Sequence, residues 1–137
     1  MTIDADLRAA LHEQLVAHEG IRLRPYRDAV GKITIGVGRN LTDCGISTEE
    51  AFALLDHDID ATADGLVKAM PWTANLDAPR LRVLLDIGFN AGIDGLLGFH
   101  KLLAAVQKGD YPTAAAEIVN SKLAPNRAKR LAALVQS

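Results

Sequence analysis

The chain has 137 residues, a mass of 14.6 kDa and 49% hydrophobic residues, enough to bury the core of one domain or of two lobes that share it. A formal net charge of −2 and a pI near 6.0 exclude strong generic attraction to nucleic acid or other polyanions, leaving only local basic patches that act within a Debye length of about 8 Å. The single cysteine, Cys44, excludes an internal disulfide and is read as a small packing residue. Charges at Asp4, Asp6 and Arg8 stand where a signal peptide needs an apolar core, and no run reaches ~18 apolar residues, so cytoplasmic synthesis without membrane insertion is expected.

In chain order, Ile3, Leu7, Leu11 and Leu15, with Ala10 between them, recur at helical spacing, and Gly20 can close that helix. Glu19 then falls in its last turn, where the apolar face ends. Apolar surroundings and the negative end of the helix dipole both favour a protonated carboxyl. Arg24–Arg27 and Ile33–Val37 read as two short strands joined through Asp28-Ala-Val-Gly31, a polar turn suited to an ionised carboxylate. Gly36-Val-Gly38 imitates a dinucleotide fingerprint, but Leu41 stands where the third glycine belongs. Ser47 and Glu50 form a capping box that opens a long helix through Phe52, Leu55, Ile59 and Leu66 to Met70, with Pro71 ending it. Asp56, Asp58 and Asp60 imitate a calcium loop, yet Ala61 and Val67 occupy its glycine and closing-glutamate positions, so a solvated helix face is expected.

Asp77-Ala-Pro79 predicts a largely buried helix through Leu81, Leu84, Leu85 and Ile87 to Asn90. Gly92, Gly95 and Gly98 mark a turn, and Phe99, Leu102, Leu103 and Val106 a further helix ending near Gly109. Asp110-Tyr-Pro112 starts another, and Pro125 to Val135 forms the last, with Arg127, Lys129 and Arg130 around its apolar stripe. His12, His18, His57 and His100 lack metal-ligand spacing, so neither metal nor cofactor is expected.

The pair Glu19 and Asp28 suits glycosidic cleavage, in which one carboxylic acid protonates the leaving oxygen while a carboxylate in a different environment directs water. By spacing alone this is a weak signal, since a helix-terminal Glu and a turn Asp are commonplace. The order Glu19, Tyr26-Arg-Asp28, Gly31 and Thr34-Ile-Gly-Val-Gly38, with steps of nine and six residues from Glu to Asp to Thr, resembles the catalytic hairpin of the bacteriophage-type lysozymes, the muramidases used as endolysins. Phe89-Asn90-Ala-Gly92 with Gly98-Phe99 is similar to that family's second-lobe helix and its exit, and Pro125-Asn-Arg127-Ala-Lys-Arg130 to its C-terminal motif.

The resemblance implies a predominantly helical α+β fold. A small β-hairpin or three-stranded lobe, about 20–46, is joined by a helix at about 47–70 to a helical lobe of 71–137 plus 3–19, all within one lysozyme-like domain. It implies hydrolysis of the β-1,4 bond between N-acetylmuramic acid and N-acetylglucosamine; inversion is expected if one water is fixed between Asp28 and the Thr34 hydroxyl. Glu19 would be the general acid, Asp28 and Thr34 would hold the water, Asn90, Phe99 and Arg39 would line the saccharide site, and Arg127 would support Glu19. Bacterial peptidoglycan is the implied partner, reached by a monomer after release to the wall. A lytic transglycosylase and an inactive peptidoglycan-binding module are the alternatives. Three positions depart from the family pattern: Arg39 where His is common, His18 where an acid is common, and Ser121–Pro125, about three residues short, with Leu123 where Trp is expected.

Overall fold

A computed structural model describes residues 1–137. Seven α-helices and one three-stranded antiparallel sheet divide into two compact units, Met1–Ala51 and Phe52–Ser137.

In the first unit, α1 (Ala5–Glu19) begins with Asp4, whose Oδ1 accepts the Leu7 N–H at 2.8 Å, and ends at Gly20, which takes φ 73° and donates its N–H to the Val16 carbonyl. Both boundaries follow from local chemistry. Its apolar residues do not form a core, for α1 has no buried residue and Leu7 and Leu15 are exposed. The sheet runs in the order β1 (Arg22–Arg27), β2 (Ile33–Gly36), β3 (Arg39–Asn40), with Thr34 opposite Tyr26 on one side and Asn40 on the other. The register shifts between Arg22 and Tyr26, a stretch that contains Pro25, which has no N–H to give a ladder. A single turn, α2 (Leu41–Cys44), follows, capped by Asn40. Cys44 is exposed, correcting its reading as a packing residue: a one-turn helix at the surface has no interior to offer it.

The helix α3 (Thr48–Ala69) opens on the expected box: the Glu50 N–H donates to Ser47 Oγ at 3.1 Å, and the Ser47 N–H to Glu50 Oε1 at 2.9 Å. Its acids Asp56, Asp58 and Asp60 are exposed. In the second unit a 3-10 turn at Pro71–Asn75 leads to α4 (Ala78–Leu97), capped by Asp77 and kinked at Gly92, whose φ of 77° breaks the helix where the glycine triplet marks a turn. Then come α5 (His100–Lys108), closed by left-handed Gly109, α6 (Tyr111–Val119), capped by Asp110, and α7 (Pro125–Gln136). Their core joins Leu66 and Met70 to Val83, Leu84, Ile87, Leu96, Leu102, Val106, Ile118, Leu131 and Val135. Gly65 and Gly88 leave room for Ile93; a Cβ at Gly65 would stand 3.0 Å from its Cγ1. The buried Arg80 stacks 3.7 Å above the Tyr111 ring and pairs with Asp77 at 3.0 Å, fastening the start of α4 to that of α6. No helix is long and apolar enough to cross a membrane.

Candidate active site

Glu19, Asp28 and Thr34 all belong to the first unit. Asp28 organises the β1–β2 turn: its Oδ1 accepts the N–H groups of Val30 at 3.0 Å and Lys32 at 2.8 Å, while its own N–H donates to the Lys32 carbonyl at 2.9 Å. Both side-chain bonds fall on Oδ1, and Oδ2 makes none. Thr34, on the central strand, is 4% exposed and donates its hydroxyl to the same Lys32 carbonyl at 3.1 Å. That bond uses the hydroxyl proton and leaves oxygen lone pairs free to accept. The two side chains are therefore oriented from opposite ends of one residue, the N–H and the C=O of Lys32. Sequence reasoning misses this role because a backbone contribution leaves no residue-type signal.

Glu19 lies at the C-terminal end of α1 with its carboxylate against the backbone of Gly38. A Cβ added to Gly38 would stand 2.9 Å from Glu19 Oε2, and Gly38 has φ 67°. Only glycine meets both demands without cost, the positive φ and the close approach. Gly38 thus sets how closely the Glu19 carboxylate approaches the hairpin, a role that the sequence, where Gly38 closes the Thr34-Ile-Gly-Val-Gly38 run, does not by itself reveal. Glu19 itself is exposed, which corrects the expectation of apolar surroundings: α1 buries no residue, so its apolar face does not enclose the carboxyl.

Arg39 is already engaged. Its two terminal nitrogens donate to Glu50 Oε1 and Oε2 at 2.9 and 2.6 Å, and one also reaches the Gly45 carbonyl at 3.2 Å. This bidentate pair, reinforced by the Ser47 N–H, holds the Glu50 carboxyl down at about 2 and raises Arg39 further. Its guanidinium thereby ties β3 to the start of α3.

In the second unit, Phe99 lines a hollow of about 530 Å³ together with His100, Lys101, Glu117, Asn120 and Lys122. Asn90 is not in that lining; it is exposed, two residues before the Gly92 kink. Another hollow, of about 420 Å³, is walled by Leu55, Ile59, Leu85 and Phe89 and includes Asp86 and Arg127. Those two charges pair at 3.4 Å, so Asp86 is the carboxylate that Arg127 meets within this unit. The stretch before α7 is braced by Ser121, whose hydroxyl donates to the Ile118 carbonyl and accepts from the Leu123 N–H.

The sequence profile of the phage lysozymes matches residues 16–136, a span that takes in Glu19, the sheet and every helix after it. The chain belongs to the phage lysozyme family. Among individual proteins it is similar to a probable T4-type lysozyme 1 of Dictyostelium discoideum, 23% identical over 162 residues that cover 94% of this chain and 95% of the relative.

Proposed function

We propose that the protein hydrolyses the β-1,4 bond between N-acetylmuramic acid and N-acetylglucosamine in bacterial peptidoglycan, with inversion. The observation that supports this reading is the convergence of Asp28 and Thr34 on Lys32, which leaves Asp28 Oδ2 and the Thr34 hydroxyl oxygen without a donor from the protein. Glu19 gives its proton to the glycosidic oxygen as the bond to the anomeric carbon breaks. The water held by Asp28 Oδ2 and Thr34 Oγ1 attacks that carbon from the opposite face and passes a proton to Asp28. Inversion requires space for this water, with carboxyl groups ~6.5–9.5 Å apart. The Phe99 hollow serves as a saccharide subsite, its ring offering an apolar face to a sugar. The enzyme acts as a monomer on the wall, after release from the cytoplasm of the cell that makes it.

Proton NMR of the first product from a defined muramoyl oligosaccharide tests the reading, together with clearing of purified cell walls. An initial α-anomer from the β-linked substrate, and loss of clearing in a folded Glu19→Gln variant, are expected. A β-anomer would mean retention, an anhydro-muramoyl end would mean transglycosylation, and wall binding without cleavage would leave only a binding module.

A further inference from the structure

The distribution of charge in the first unit is uneven in a way the hydrolytic residues do not use. Between Gly20 and Asn40 stand five cations, Arg22, Arg24, Arg27, Lys32 and Arg39, against one carboxylate, Asp28, although acids outnumber bases in the whole chain. Two of the five are neutralised locally, Lys32 by Asp43 at 3.1 Å and Arg39 by Glu50. The other three, Arg22, Arg24 and Arg27, all lie exposed on β1, and none has a carboxylate partner. Asp28 spends its bonded oxygen on backbone N–H groups instead.

Two of these arginines are nevertheless held in place, and by neutral groups. The Arg22 guanidinium sits 4.7 Å from the centre of the Tyr26 ring, and Arg27 donates to the Gly31 carbonyl at 3.3 Å. Such partners fix a guanidinium while leaving its charge uncompensated and further N–H donors free. The strand that carries them is a sheet edge and continues directly into Asp28. Charge on an edge strand also discourages edge-to-edge pairing, but that role needs no ordering of the side chains.

We infer that the arginine edge of β1 docks the carboxylates of the peptide stems borne by the glycan strand being cut. This rests on the reading of the substrate as peptidoglycan. The complementarity is chemical: an acidic peptide beside a sugar chain presents planar carboxylates, and an exposed guanidinium binds these in fork geometry. The docked stem lies next to Asp28, so the contact selects stem-bearing glycan and sets its register along the hairpin.

The test measures binding apart from cleavage, with sedimentation of the full chain carrying Glu19→Gln on intact sacculi and on sacculi stripped of stems by an amidase. Replacing Arg22, Arg24 and Arg27 together by Gln should weaken binding to intact sacculi about tenfold at low salt, as expected for three exposed charge contacts, and flatten its salt dependence. The penalty should vanish on stripped sacculi, and the triple replacement by Lys, which keeps the charge but not the fork, should recover only part of it. Equal losses on both sacculi, or no loss on intact ones, would overturn the inference, and thermal midpoints identify any variant that fails to fold. Reducing-end release by the unsubstituted protein, measured alongside, reports on the hydrolase reading separately: its absence would end that reading, while a stem-dependent binding difference would still stand.

Discussion

Replacing Gly38 by Ala separates two costs that usually arrive together. The first is backbone strain, because φ 67° is a region that a residue with a Cβ occupies at a cost of about 1–2 kcal/mol. The second is displacement of Glu19: the new methyl would stand 2.9 Å from Oε2 and 3.1 Å from Cδ, so the carboxylate has to retreat by about half an ångström to reach ordinary contact. An ångström of misplacement at a reacting group costs ~100-fold in rate, so half of that corresponds to about tenfold in kcat. Gly36 supplies the control, with φ 69° on the same hairpin and nothing within 4 Å of the methyl that alanine would add. Gly36→Ala should show a similar loss in urea unfolding while keeping most of its wall-clearing rate, whereas Gly38→Ala should lose both. If the two variants clear walls at the same rate, Glu19 is not held against Gly38 during the reaction and the positioning role is refuted.

Glu50 has its pKa lowered from 4.5 to about 2, so the stabilisation from its pairing is present above about pH 4.5 and is lost as pH falls toward 2; thermal midpoints of Glu50→Gln should decline less than those of the unsubstituted protein over that window, and parallel curves would refute the contribution. Arg80→Met should cost about 1 kcal/mol or less in urea unfolding, because an apolar chain of similar reach fills the space beside Tyr111 where the guanidinium now stacks, and the buried Nε, which has no hydrogen-bond partner, is removed; Arg80→Ala should cost about 2–3 kcal/mol, and equal costs would show that packing is not what the side chain supplies. Arg127→Ala breaks a half-exposed pair with Asp86 and should lower stability by under about 1 kcal/mol; a larger fall in kcat would support a role toward Glu19, and an unchanged kcat would leave Arg127 as the partner of Asp86 alone.

The helix boundaries are legible because they are written in neighbouring residues. Asp4, Ser47, Asp77 and Asp110 all stand where short-range capping rules place them, and Gly20, Gly92 and Gly109 take the backbone angles that end or break a helix. Two short elements, α2 and the Pro71–Asn75 turn, span too few residues to show a period. At the candidate site, the resemblance of the Glu19–Gly38 order to the lysozyme hairpin points to Glu19, Asp28 and Thr34, but their supports do not show. The Lys32 peptide groups have no side-chain signature, and the pairing of Arg39 with Glu50 joins residues 11 apart through a chain reversal that no helical or strand period encodes. The exposure of Cys44 escapes the sequence for a related reason: burial depends on what folds over a residue, and its own type supplies only an average.

All buried hydrophobic residues of the core lie beyond Ala51, and Thr34 is the one buried residue of the first fifty-one. A segment that hides so little from water is held mainly by hydrogen bonds and caps, and such segments open at a fraction of the free energy needed to unfold the whole. Amide protons of β2 and β3 should therefore exchange sooner than those of α4 and α6, and limited proteolysis should first cut within the hairpin. Glu19, Asp28 and Thr34 would then sit on the part of the molecule that melts earliest, so if they carry the proposed hydrolysis, lytic activity should fade on warming while the helical signal in circular dichroism is still largely intact.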